Sequence, residues 1–429
     1  METPLPLIET LLADNNHRTL SVNPEALAIL KGIRKPIKSV SIVGTYRTGK
    51  SFLLNRLRGI NSGFPLGSTI ESKTKGIWMW VGDHPGDPSQ ALLLLDTEGL
   101  NDVGKGDKNH DTQLFTLAIL LSSILCYNGV NAINAQSLEG LQLAIAVSEH
   151  VKVRGTTSCS EDSLAKFFPD FIWLVRDFHL ELVNGRGDAI SADDYLEAAL
   201  SYNPKEGLDS PFNQVRSAIR NFFIKRKCFT LAMPTGHKKL KNLDKMKEDE
   251  LDEDFLEQTK GFLNYVYGSE RVMKLEGEPL KGSALAALVE NYTKLLNTGA
   301  PLDLGNAHDA MIQQVNGKAV TKALAAAEDI LAKLVLPMAA QSLLEVCMEA
   351  ERGQFEALRK SAVNLSRHPI FSTQFENGME ELILKYKARN EACVSLVRLS
   401  MDDCRPYIYF ELIYPRIIAY NHTYTCTLV

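Results

Sequence analysis

The chain has 429 residues, more than one hydrophobic core usually holds, and 45% apolar with 23% charged residues is the composition of a folded globular protein rather than a disordered or collagen-like one. Lys and Arg total 47 against 52 Asp and Glu, a net charge of −5, so no global positive field draws the chain to nucleic acid, and no such partner is expected. Seven scattered cysteines (126, 159, 228, 347, 393, 404 and 426), with no CxxC and no Cys/His cluster, match neither a zinc site nor a disulfide framework and point to a reducing cytoplasm.

The N-terminal residues Met1 to Leu12 lack the positive start and uninterrupted apolar run of a secretory signal. Over the first 230 or so residues, short apolar runs alternate with helix-like segments, the pattern of parallel βαβ units. The runs Val40–Val43, Gly76–Val81, Ala91–Leu95, Phe171–Val175 and Cys228–Ala232 read as central strands covered on both faces. The most apolar stretch, Leu114 to Val130, reads as one buried helix, too short and too interrupted by Thr116, Ser122, Ser123 and Asn128 to span a membrane.

Directly after the first of these strands comes Gly44-Thr45-Tyr46-Arg47-Thr48-Gly49-Lys50-Ser51, then the helix-like Phe52 to Leu57: a G-x-x-x-x-G-K-S loop in its required strand-loop-helix setting. Its glycines let successive N–H groups turn toward a β-phosphate, Lys50 would neutralise β and γ oxygens, and the Ser51 hydroxyl would hold Mg²⁺. Further on, Thr74 lies in a basic loop (Ser72 to Gly76) where a phosphate-sensing switch threonine is expected. The strand Ala91–Leu95 then ends in Asp96-Thr97-Glu98-Gly99, the place of an acid that reaches Mg²⁺, with the Gly99 N–H facing the γ-phosphate. No N-K-x-D or T-K-x-D string occurs. Val175-Arg176-Asp177 instead follows a strand, where Asp177 could accept from guanine N1–H and N2–H₂ and the Arg176 stem could pack on the base; the same pair also reads as a charged strand cap.

Beyond about Leu240 the strand signals fade. Helices are expected from Ser283 to Leu296, stopped by Gly299 and Pro301, from His308 to Lys333 with a break at Pro337, and from Met338 to Leu365, with a further helix ending near Leu396. The expected organisation is an α/β nucleotide domain over 1–300, a short all-α domain over 301–400 and an atypical tail over 401–429. The terminal Cys426-Thr427-Leu428-Val429 fits the prenylation pattern C-a-a-X only loosely. A final Val and the absence of a polybasic run argue against a lipid anchor, which leaves membrane association of part of the protein as the weaker expectation beside a cytoplasmic location.

The strings Val43 to Ser51, Thr74 to Trp80, Leu95 to Leu100 and Val175 to Phe178 resemble the guanylate-binding proteins, large GTPases of the dynamin superfamily, and the likeness reaches loosely to about residue 396. It implies a P-loop large G domain followed by a helical stalk, nucleotide-dependent homodimerisation through the G domains, self-stimulated GTP hydrolysis and a role in innate defence against intracellular pathogens. Carried over by residue, Arg47 matches an internal arginine finger, Ser72 the serine that positions the attacking water, Thr74 the Mg²⁺ threonine, Asp96 the switch II acid and Asp177 the guanine reader. Catalytic candidates are therefore Arg47, Lys50, Ser72 and Glu98. The expected nucleotide contacts are Gly44, Tyr46, Arg47, Thr48, Gly49, Lys50, Ser51, Phe52, Thr74, Asp96, Gly99, Arg176 and Asp177, with Ser51, Thr74 and Asp96 on Mg²⁺. Two alternatives stand beside this reading: a P-loop ATPase with the same phosphate chemistry, and a nucleotide-locked module that regulates longer relatives through its shortened stalk.

Overall fold

The computed structural model describes residues 1–12, 18–45, 48–60, 63–65, 75–99, 108–143, 147, 151–152, 166–207, 210–236, 238–240, 243 and 245–402. In chain order the elements are β1 (Leu5–Leu12), β2 (Arg18–Val22), α1 (Pro24–Gly32), β3 (Ile37–Gly44), α2 (Lys50–Leu57), β4 (Ile77–Asp83), β5 (Ala91–Thr97), α3 (Lys108–Leu120), β6 (Ile124–Val130), α4 (Ala135–Glu139), β7 (Val151–Lys152) and β8 (Asp170–Arg176). They continue with α5 (Ala192–Ala199), α6 (Pro211–Phe222), β9 (Arg226–Leu231), α7 (Glu253–Gly268), β10 (Lys274–Leu275), β11 (Glu278–Pro279), α8 (Gly282–Asn297), β12 (Leu302–Asp303), α9 (Leu304–Ala332), α10 (Ala340–Ser361) and α11 (Ile370–Asp402).

Eight strands form one sheet in the order β2-β1-β4-β5-β3-β6-β8-β9. The run β5-β3-β6-β8-β9 is parallel, while β4 runs antiparallel to β5 and the β1–β2 hairpin extends that edge. The fold is therefore α/β with a mostly parallel sheet, as the alternating pattern predicts. On one face Val40, Ile42, Leu92, Leu94, Ile124, Cys126, Ile172 and Leu174 pack against Phe52, Leu53, Leu54 and Leu57 of α2 and against Phe255, Phe262 and Val266 of α7. On the other, the end of α3 seals against β3 through hydroxyls: Ser39 Oγ donates to Leu121 O (2.6 Å) and Ser123 Oγ donates to Ser39 O (2.8 Å).

Those serines correct the reading of Leu114 to Val130 as a single helix. Helix α3 stops at Leu120, and Ser122 and Ser123 turn the chain and satisfy buried polar groups of β3. The remaining residues form the central strand β6, between β3 and β8. An apolar run of this length does not distinguish a helix from a helix-turn-strand, and the two serines are where the chain breaks. A second correction concerns β9. It is the edge strand, and of its residues only Cys228 and Leu231 are buried, where a strand covered on both faces was expected. The helix ending near Leu396 runs on to Asp402.

Local chemistry accounts for the helix ends. Asn23 caps α1 by accepting from Glu25 N and Ala26 N ahead of Pro24, and α8 ends before Gly299, whose φ of +70° a residue with a side chain resists. The chain divides into two compact units, 1–311 and 312–429, with the division inside α9. In the second unit α9, α10 and α11 enclose Leu331, Leu343, Cys347 and Tyr386. Two reciprocal amide clasps fasten its loops: Asn316 pairs with both backbone groups of Val363, and Asn390 with both of Met338. Among the described residues no helix is long and apolar enough to cross a membrane.

In the first unit His308 meets Tyr292 (Nε2 to OH 2.7 Å) beside the Phe167 ring, and burial lowers its pKa to about 4. The imidazole is neutral when folded and takes up a proton near pH 6.5 when unfolded, so its contribution to stability is present above pH 6.5 and is lost as pH falls through about 4. Chemical denaturation between pH 7 and 4 should show a loss of stability that shrinks by about 1–3 kcal/mol in His308→Phe. Equal pH slopes in the two proteins would mean that His308 takes no part.

Candidate nucleotide site

The site forms at the C-terminal end of β3, where the chain must leave a central strand and reverse into α2. Gly44 has φ +144°, and a Cβ there would lie 2.3 Å from the Asn128 carbonyl oxygen on β6. Gly49, the N-cap of α2, has φ +84°, and a Cβ there would lie 2.8 Å from Arg176 Nη1. A loop this close to two neighbouring strands admits only glycine at both points. Between them Thr48 Oγ1 donates to Thr45 O (2.9 Å) and Thr48 O accepts from Asn128 Nδ2 (2.7 Å), so the curl is closed from within and tied to β6.

Helix α2 has no side-chain cap. Its first N–H groups and its dipole therefore favour an anion at the loop. Lys50 is buried and its ammonium donates to Gly44 O (3.2 Å) and Thr45 O (3.0 Å), which keeps the charge at the loop. The Phe52 ring lies in the core against Phe255 (6.1 Å between centroids), so only its backbone can serve a nucleotide.

Strand β5 places Asp96, fully buried, opposite Ile42 of β3, and its Oδ2 accepts from Ser51 Oγ at 2.6 Å. A hydroxyl and one carboxylate are hard oxygen donors on one side only, which suits Mg²⁺ completed by phosphate and water better than an all-protein cage. Among the described residues no group of three or more His, Cys, Asp or Glu able to hold a metal is found. Glu98 is buried and its Oε2 accepts from Gly76 N (2.9 Å); Gly99 follows it, also buried.

At the end of β8, Arg176 is buried with its guanidinium against Gly49 and over the Phe255 ring (5.6 Å), and burial lowers its pKa while Asp177 opposes the shift. Among the described residues its Nε and Nη1 find no hydrogen-bond partner. Asp177, half-buried, takes φ +55°, an uncommon conformation that turns the chain out of the strand at the same end of the sheet as the phosphate loop. The structure thus brings Gly44, Thr48, Gly49, Lys50, Ser51, Asp96 and Arg176 together. Tyr46, Arg47, Ser72, Thr74 and Leu100 lie outside the described residues, as do Cys426 and the tail from 403. Asn128 is a site residue that motif reading missed. Its signal in the sequence is one polar residue near the end of an apolar run, which becomes legible only once that run is known to be a strand beside β3.

A curled glycine loop between a central parallel strand and a helix, with a lysine on its carbonyls and a serine–aspartate pair beside it, defines a P-loop nucleotide-binding α/β domain. The family models of the guanylate-binding protein N-terminal domain and C-terminal domain match residues 17–275 and 276–405, and the chain belongs to this family of large GTPases. It is 40% identical to Guanylate-binding protein 2 of Homo sapiens over 401 residues, covering 90% of this chain and 67% of that protein. It is 44% identical to Guanylate-binding protein 7 of Mus musculus over 330 residues (75% and 51%), and 37% identical to Guanylate-binding protein 1 of Homo sapiens over 416 residues (94% and 68%). The chain thus spans between about half and two thirds of the length of these relatives.

The fit of Gly49 between loop and guanidinium makes a direct test. Gly49→Ala forces φ +84° on a residue with a Cβ, at about 1–2 kcal/mol, and pushes on Arg176. Nucleotide affinity measured by calorimetry should fall by about tenfold or more while the thermal midpoint moves by a few degrees. Unchanged affinity would mean that the loop conformation described here is not the one that binds.

Proposed function

We propose that the chain binds GTP with Mg²⁺ and hydrolyses it, acting as a pair of G domains from two copies, in cytoplasmic innate defence. The observation that carries this reading is the convergence of the phosphate loop, the Ser51–Asp96 pair and Asp177 at one end of the parallel strands. Backbone N–H groups of the loop and α2 would hold the β-phosphate, and the Lys50 ammonium would exchange loop carbonyls for β and γ oxygens. Mg²⁺, held by Ser51, Asp96 and Thr74, would neutralise phosphate charge. Asp177 would choose guanine by accepting two hydrogen bonds that adenine cannot donate, which separates this reading from an ATPase with the same loop. Arg47, inside the loop sequence, would place its cation on charge that develops in the transition state, and Ser72 and Glu98 would help orient water. A second copy, or a longer family member, is the proposed partner; the names of the relatives support this no further than family membership. A regulatory module locked on nucleotide would bind GTP and show no turnover.

Lys50→Ala should weaken GTP binding by about 30-fold or more, because a charge-assisted contact is removed from a site left with neutral donors; retained affinity would remove the phosphate-loop assignment. Asp177→Asn should trade GTP for XTP with a loss of discrimination on the order of 10⁴, since one acceptor becomes a donor facing the guanine amino group while xanthine offers a carbonyl there. If that variant binds GTP as the parent does, Asp177 is a strand cap and the base is read elsewhere. Product analysis on the purified chain across protein concentrations tests the catalytic part: specific activity that rises with concentration is expected for hydrolysis in a dimer.

A further inference from the structure

Four segments meet behind Glu98. The Glu98 N–H donates to Gly76 O (2.8 Å) and the Gly76 N–H donates to Glu98 Oε2 (2.9 Å), a closed pair of bonds between the end of β5 and the residue that leads into β4. Gly76 has φ +73°, and a Cβ there would lie 2.0 Å from the Ile8 carbonyl oxygen, so the backbone of β1 is seated directly on it. From α3, His110 Nε2 comes within 3.6 Å of Glu98 Oε2 and 3.3 Å of Thr10 Oγ1 on β1. Glu98 and His110 are 3% and 1% exposed, and polar groups buried this deeply are retained where they hold one another.

We infer that His110 is a positioning residue for the reaction. From α3 it fixes the Glu98 carboxylate on the Gly76 N–H, and Thr10 fixes His110 to the N-terminal strand. Gly76 lies two residues after Thr74, so the junction sets the point from which the segment carrying Thr74 enters β4. The contacts described for His110 are with Glu98 and Thr10. His110 and Thr10 act on hydrolysis through Glu98 and Gly76, and leave ground-state binding at Lys50 and Ser51 alone. The inference rests on the reading of the chain as a GTP hydrolase, and its test has one arm that does not.

Single-turnover hydrolysis and affinity for a non-hydrolysable GTP analogue would be measured on the full chain and on His110→Ala, His110→Gln and Thr10→Val. His110→Ala should keep analogue affinity within about twofold and hydrolyse about tenfold more slowly, the scale expected when a reacting constellation is loosened by a fraction of an ångström. His110→Gln, whose side-chain amide nitrogen reaches the place of Nε2, should return the rate to within about threefold of the parent, and Thr10→Val should fall between. An unchanged rate in His110→Ala overturns the inference; so do equal losses of rate and affinity, or a loss that Gln does not restore, which would mark plain packing. In the arm free of activity, amide hydrogen exchange at Gly76 and Ile77 should quicken about tenfold or more in His110→Ala, and unchanged exchange overturns the inference too. A parent chain that binds GTP without turnover, with the exchange effect present, would instead remove the proposed hydrolysis and leave the junction standing.

Discussion

The phosphate loop runs so close to the end of β6 that no side chain fits on Gly44, and Gly49 holds a left-handed φ against the tip of Arg176 from β8. The rest of the site depends on that approach. Because Gly44 lies on the Asn128 carbonyl and Gly49 on the Arg176 guanidinium, the loop is backed by two strands and closed by Thr48. A loop braced in this way binds phosphate at little reorganisation cost, which is where such loops gain their affinity.

The same contact joins the two halves of nucleotide recognition. Arg176 lies against the loop and Asp177 follows it at the end of β8, so β8 carries both the support for the loop and the proposed reader of guanine. On the other side of β3, Asp96 on β5 brings the switch II strand within hydrogen-bond reach of Ser51 in α2. The order β5-β3-β6-β8 thus sets Asp96, the loop, Asn128 and the proposed base reader Asp177 side by side at one end of the parallel strands, where ligands of open α/β sheets bind.

How much of this was legible beforehand follows from the range of the interactions. Gly44 to Ser51 and Asp96 to Gly99 were readable because their chemistry is local, with a fixed spacing next to a strand. Strands β3, β5 and β8 were readable from short, largely apolar runs. Strand β6 was not, since the run from Leu114 to Val130 carries no periodic mark where helix gives way to strand, and the serines that break it show their purpose only against β3. Asn128 and His110 were missed for a related reason. Each is a single polar residue whose partners lie 80 and 12 or more positions away, and no spacing rule connects Asn128 with Thr48 or His110 with Glu98 and Thr10. The β1–β2 hairpin was also unread, although it forms the antiparallel edge that seats on Gly76.

The helical unit is held by its own core and amide clasps. The central claim is that this chain's loop and β8 together select a guanine nucleoside triphosphate, and the most direct measurement is paired calorimetric titration of the purified chain with non-hydrolysable GTP and ATP analogues in Mg²⁺. The account predicts that the GTP analogue binds at least about 100-fold more tightly, a difference of about 3 kcal/mol set by two hydrogen bonds to the base edge. Equal affinities, or tighter binding of the ATP analogue, would contradict it.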